Sequence, residues 1–191
     1  MKYFPILFSV LVLISCGQSS KEQVTEKIDS VYIQKGNLIA GISFETISGE
    51  LKKALASGGI ENALRYCNEH AYPITDSLSA AHQVRIKRVS NKYRNPLNKA
   101  DKMEEFMIKG FGIDLSEGNE LSPKVVIKDD SVIFYKPIIT QALCLNCHGT
   151  PGKEITFSND SLIRALYPQD QAVDYQANQL RGLWRIAFKK R

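Results

Sequence analysis

The chain lacks any stretch of about 20 apolar residues, so no part of it is predicted to span a bilayer as a helix. Its longest apolar run, residues 4–14, is broken by Pro5 and Ser9 and is too short for that role. Basic residues form a small cluster at Lys189, Lys190 and Arg191. The excess of 25 Lys and Arg over 20 Asp and Glu, a net charge of +5, is otherwise spread along the chain. That pattern gives no basic stripe for nucleic acid. Absent too are a phosphate-cradling glycine loop, a Ser-His-Asp set with any distinguishing context and a second Cys/His pair at zinc-ligand spacing. Cysteine is scarce, with four residues in 191, so each thiol has to be accounted for.

The first of them closes the apolar run. Lys2 precedes that run, and Leu13-Ile14-Ser15-Cys16 follows the order of a bacterial lipobox: an aliphatic residue, two tolerant positions, then the cysteine that takes the lipid. Residues 1–15 are therefore expected to be a lipoprotein signal peptide and Cys16 the lipidated N-terminus. Acyl chains on it would anchor the protein at about 0.8 kcal/mol per buried methylene. Residues 16–23 are small and polar and are expected to be a flexible tether, leaving 24–191 as one domain. The expected location is the cell envelope, lipid-anchored and facing the periplasm. Gly17, where some bacteria place an acidic inner-membrane retention signal, favours the outer membrane.

From Val24 the spacing of Ile28, Val31, Leu38, Ile42, Ile47, Leu51 and Leu55 predicts helix, weakened by Gly36, Gly41 and Gly49 and stopped at Gly58-Gly59. A second helix is predicted over 60–81. Its apolar stripe of Ile60, Ala63, Leu64, Cys67, Ala71, Ile74 and Leu78 carries Cys67 at its centre, with a kink expected at Pro73. Alternation over 84–89 predicts a strand, and 91–100 a loop with Asn-Pro turn chemistry. Asp101 is placed to cap a short helix through Met103, Phe106, Met107 and Ile108. A hairpin is expected around Asp129-Asp130, then a short helix at 162–167 and a last strand at 183–188. Helices first and antiparallel strands later make an α+β domain.

Cys144-Leu145-Asn146-Cys147-His148 is a CxxCH motif. Two thiols at this spacing can add to the two vinyl groups of one porphyrin, which holds the adjacent imidazole under the ring as a ligand to iron. One copy implies one covalent haem c. Zinc would want a second ligand pair. A thioredoxin-like CxxC would open a helix after the first strand of a βαβ unit. A structural disulfide between the two thiols is the product expected of failed haem loading. For the iron's other face the sequence offers Cys67, His70 one turn away, His82, Met103 and Met107. A cysteine on an apolar stripe is equally read as core.

GGIENALRYCNEHA (58–71), RIKRVSNKYRNPLNKAD (85–101), YKPI (135–138) and CLNCHG (144–149) occur in this order. Together they resemble the bacterial family of PAS-like c-type-haem domains, a domain of unknown function found as stand-alone exported proteins and ahead of sensor kinases. The resemblance implies a PAS-like antiparallel sheet flanked by helices, with an N-terminal helical region. It also implies His148 as the proximal ligand and Cys67 as the distal one, with His70 as runner-up. Near the loop, Arg88, Lys92 and Arg94 are candidates for the haem propionates, since guanidinium binds carboxylate as a fork; a solvated loop is the plainer reading. A thiolate opposite histidine favours ferric iron and a low potential and leaves no open position, so the chain is not expected to be an enzyme. A peroxidase-like enzyme would need an open distal site with an acid-base residue. The expected role is a redox carrier with an unidentified redox partner. The alternative is a redox or gas sensor that signals through a separate protein.

Overall fold

The structure, a computed structural model, describes residues 20–190, and their side chains from residue 29 onward. The expected signal peptide, the lipidation site Cys16 and most of the expected tether lie outside the described residues. Residues 20–23, the end of that tether, are helical instead, because Lys21, Glu22 and Gln23 are all good helix formers.

Helix α1 runs Ser20–His82, far longer than either helix read from the sequence. Gly36, Gly41 and Gly49 do not interrupt it, and it carries through Pro73. The backbone leaves helical geometry only at Gly58 and Gly59. Gly59 has φ 68 and ψ −160, a combination essentially open to glycine alone, so the predicted stop is a bend between two helical arms. Asn62 secures the bend by donating to the Ala54 carbonyl at 2.8 Å and the Ser57 hydroxyl at 3.0 Å. No described helix is long and apolar enough to cross a membrane.

The sheet comprises β1 (Arg85–Val89), β2 (Lys124–Lys128), β3 (Ser131–Ile139) and β4 (Leu180–Lys189). Its order is β1-β4-β3-β2 and every neighbouring pair is antiparallel. Strand alternation divides its side chains between two cores. Val132, Phe134, Trp184, Ile186 and Phe188 pack with Ile39 and Ala40 of α1. On the other face Ile133, Tyr135, Leu183 and Ala187 meet Met107 and Phe111 of α2, Lys102–Ser116. Gly36 lets α1 lie this close: a Cβ there would stand 2.3 Å from the Phe134 ring. Gly36→Ala is therefore expected to lower stability by about 1–3 kcal/mol through overpacking, although alanine is the better helix former. Urea unfolding checks it, and an unchanged or raised midpoint would refute the packing argument.

α2 is longer than expected because Phe111, fully buried, anchors a second turn beyond Ile108. Its start is as read: Asp101 accepts from the Glu104 N–H at 2.8 Å, and the Glu104 carboxylate accepts from the Asp101 N–H. The buried Glu104 also pairs with Arg185 at 3.1 Å, tying the helix to β4. After β3 the chain forms a 3-10 turn at Ala142–Cys144 and a single helical turn, α3, Leu145–His148, neither expected from the sequence. Helix α4 spans Phe157–Leu166, earlier than the predicted start at 162, because Thr156 caps it by accepting from the Asn159 N–H. Its Ile163 packs with Ile155 and with Leu64 of α1 in a third core. The fold is α+β and PAS-like: an antiparallel sheet flanked by helices, with a long N-terminal helical region.

Candidate cofactor site

The bend in α1 leaves a hollow between its two arms, the β1 and β4 ends of the sheet and the segment after β3. A cavity of about 280 Å³ occupies it, with far more apolar than polar wall. Leu51 and Leu55 face it from one arm, and Ile60, Leu64 and Cys67 from the other. The stripe predicted for 60–78 is the stripe that lines the cavity in its first turns. The opposite wall follows from β3. Its register with β4 shifts between Ile138 and Ile139, an irregularity at the strand end just before the CxxCH segment.

Cys144, Cys147 and His148 line this cavity together with Cys67. The motif and the distant cysteine, far apart in sequence, are thus brought to one space. All three described cysteines are unpaired. The other candidates for the far ligand lie elsewhere. His70 is exposed, stacks on Tyr66 at 4.4 Å between ring centres and lies 3.7 Å from Glu69. His82 ends α1 outside the cavity, Met103 is exposed, and Met107 belongs to the core under α2. Among the described residues no three or more His, Cys, Asp or Glu side chains close into a metal-holding cluster. The four donors share one cavity wall.

His148 Nδ1 lies 2.8 Å from the Ala172 carbonyl. A carbonyl only accepts, so Nδ1 carries the proton and Nε2 keeps its lone pair. Burial, then the charges of Arg181 and Arg94, hold the imidazole well below its ordinary pKa, so it stays neutral. The segment that supplies this carbonyl is itself strapped to the motif. Arg94 Nη2 donates to the Cys147 carbonyl at 2.6 Å and to Asp170 at 2.9 Å, and Asp170 accepts from the Ala172 N–H at 2.8 Å. The Tyr175 N–H then donates to the His148 carbonyl at 2.9 Å. The NPLN stretch earns its loop shape locally: Asn95 accepts from the Leu97 N–H, Pro96 opens a 3-10 turn, and Tyr72 of α1 donates to Asn98 at 3.0 Å.

Of the basic residues singled out, Arg88 and Arg94 line the cavity, while Lys92 does not. The Lys92 ammonium instead donates to the Val173 carbonyl and lies 4.7 Å over the Tyr175 ring. Sequence reasoning missed Arg181 as a site residue. It enters the cavity from the start of β4, stacked 5.2 Å over Tyr175. No motif or periodicity in the sequence marks it. Tyr72, Tyr93 and Tyr167 in the wall were missed as well.

The thiols are set by the same surroundings. Burial raises the Cys67 thiol, opposed by the charges of Arg88 and Arg94. Burial pushes Cys147 up to about 11, against the pull of Arg94 and reinforced by Cys67 and Cys144. Since the thiolate is the nucleophile, alkylation of Cys147 in the haem-free chain is expected to accelerate about tenfold per pH unit up to about 11. Peptide mass spectrometry after iodoacetamide checks it, and a plateau near pH 8 would contradict the burial.

Two thiols and an imidazole in one turn, with a third thiol across an apolar space, form a donor set that fits a covalently held haem. No curated protein matches the chain. Among solved structures, the cyanobacterial haem protein Tll0287 has the same fold, with a TM-score of 0.57 and 20% identity over 80% of this chain and 93% of that one. The model of the Tll0287-like family matches residues 12–188. The chain belongs to the Tll0287-like family.

Proposed function

We propose that the chain is an envelope lipoprotein, lipidated at Cys16, that carries one haem c through thioethers to Cys144 and Cys147 and serves as a low-potential redox carrier. In this reading His148 and Cys67 would hold the iron. The observation that carries it is the convergence of Cys67 with the CxxCH side chains on one apolar cavity. The description of the solved relative as a haem protein agrees with it. Bound there, a haem supplies a one-electron ferric/ferrous couple. The protein's part is to orient and to exclude: Ala172 holds His148 in the tautomer that frees Nε2, and the leucines of both α1 arms give the cavity an apolar wall that would keep water out. Two protein ligands leave no open position, which makes catalysis at iron the weaker reading. The partner is a second redox protein met at the envelope, and nucleic acid has no place in this reading.

Covalent attachment is tested by the mass and the pyridine haemochrome of protein matured with a c-type haem assembly system. The wild type is expected to gain one haem, Cys144→Ala with Cys147→Ala none. Absence of haem from the wild type sinks the proposal.

A sensor that signals through a separate protein is the second reading, and the bend favours it. Leu51 and Leu55 on one arm and Ile60 and Leu64 on the other share the cavity wall with Cys67. A change at Cys67 would therefore be felt on both sides of Gly59. Rapid CO or NO binding with a change in shape supports the sensor, and fast electron exchange without ligand loss supports the carrier.

A further inference from the structure

Three arginines, Arg88, Arg94 and Arg181, line the cavity, and among the described residues no carboxylate does. Arg94 is already neutralised, by Asp170 behind the wall, in a pair whose side chains are 12% and 5% exposed. The other two are not. The Arg88 side chain makes no hydrogen bond or ion pair among the described residues. Arg181 donates through Nη1 to the Ser90 hydroxyl and the Lys92 carbonyl, both at 2.9 Å, yet its buried Nε has no partner. Neutral acceptors leave its charge uncompensated. Arg181 also stands near enough to Arg88 and Arg94 to be repelled by both. Two like charges lowered into an apolar hollow are unfavourable unless something negative joins them. The wall holds no carboxylate, and its thiols are assigned above to haem and iron.

We propose that Arg88 and Arg181 form a two-point clamp for a pair of carboxylates on the molecule that fills the cavity, one guanidinium for each. This rests on the haem reading above and deepens it, because haem bears two propionates. It replaces Lys92 and Arg94 as their anchors: Lys92 is turned to Val173 and Tyr175, and Arg94 serves Asp170 and the motif backbone. A free dicarboxylate of similar span has the same chemistry, so the two sources need separate arms.

The test uses holoprotein of the full chain with R88Q, R181Q, R181K and, as control, K92Q. R88Q removes no contact that holds the fold, and R181K keeps a cation should R181Q fail to fold. Haem attachment is read first by mass; its absence from the wild type overturns this inference and the function together. With haem attached, resonance Raman reads the propionate bending bands. The bands are expected to shift in R88Q and in R181Q or R181K, and to stay in K92Q. Loss of the Arg88 charge is also expected to displace the ferric/ferrous ratio at a given potential about tenfold toward ferric, 59 mV for one electron. Bands and midpoint of R88Q identical to wild type overturn the clamp while leaving the haem in place. In the second arm, succinate is titrated into holoprotein by calorimetry. No binding supports the propionates as occupant; saturable binding that disappears in R88Q reassigns the clamp to a free dicarboxylate and overturns the propionates.

Discussion

On the proposed ligation by Cys67, Cys67→Ala is expected to abolish the low-spin, thiolate-type ferric spectrum and to raise the reduction potential by on the order of 100 mV. The potential follows from axial-ligand identity, which moves haem couples over about 0.8 V in all. A thiolate donates charge to ferric iron and alanine does not. The fold should survive, because Cys67 is only partly buried and loses one sulfur's worth of packing. His70 cannot take over, since it lies outside the cavity, exposed and stacked on Tyr66. His70→Ala is accordingly expected to leave spectrum and potential unchanged. Optical and EPR spectra with spectroelectrochemistry decide it: a Cys67→Ala protein with the wild-type spectrum removes Cys67 from the iron, and a changed His70→Ala spectrum replaces it.

The second large effect is expected at a residue that touches no ligand position directly. Asp170→Ala should destabilise the protein by about 3–5 kcal/mol, the cost of leaving a buried guanidinium without its carboxylate. It should also loosen His148. Asp170 holds the Ala172 N–H, and the Ala172 carbonyl fixes the imidazole proton on Nδ1. Asp170→Asn keeps an oxygen for that N–H but loses the charge, so it should preserve the tautomer while still costing about 1–3 kcal/mol. Chemical denaturation reads the stability, and nitrogen NMR of the His148 ring in haem-free protein reads the tautomer. An unchanged tautomer in Asp170→Ala would break the chain of contacts argued from Asp170 to His148.

The elements with strong local signals were legible in advance. The hairpin at Asp129-Asp130 forms where its turn residues stand, with Asp129 in the left-handed region, and Asp101 caps α2 as read. The stripe through Cys67 was visible because helical spacing alone puts those residues on one face. Extents were less legible. α2 passes Gly110 and Gly112 because Phe111 is buried, and α1 passes Gly36 because that glycine fits under Phe134. Propensity is a local quantity, and both outcomes depend on partners far away in sequence.

The site divides in the same way. CxxCH is a local motif, so its two thiols and imidazole were assigned from spacing alone, and the resemblance of the flanking segments named the family. Residues near the motif in sequence carried no such information about the opposite wall. By residue type Cys67, His70, His82, Met103 and Met107 were all open, and only the family resemblance pointed to Cys67, with His70 as runner-up. The bend at Gly59, which sets one arm of α1 across from the CxxCH turn, left only Cys67 of these at the cavity. The arginines show the reverse. Arg88, Lys92 and Arg94 looked alike as a basic neighbourhood, yet Asp170 neutralises one, a carbonyl and a ring draw another away, and Arg181 arrives from the last strand. Composition and spacing determined which chemistry the chain can hold. Only the folding of the sheet against the bent helix decided which charges and thiols face it, because contact between distant residues is written in no single segment.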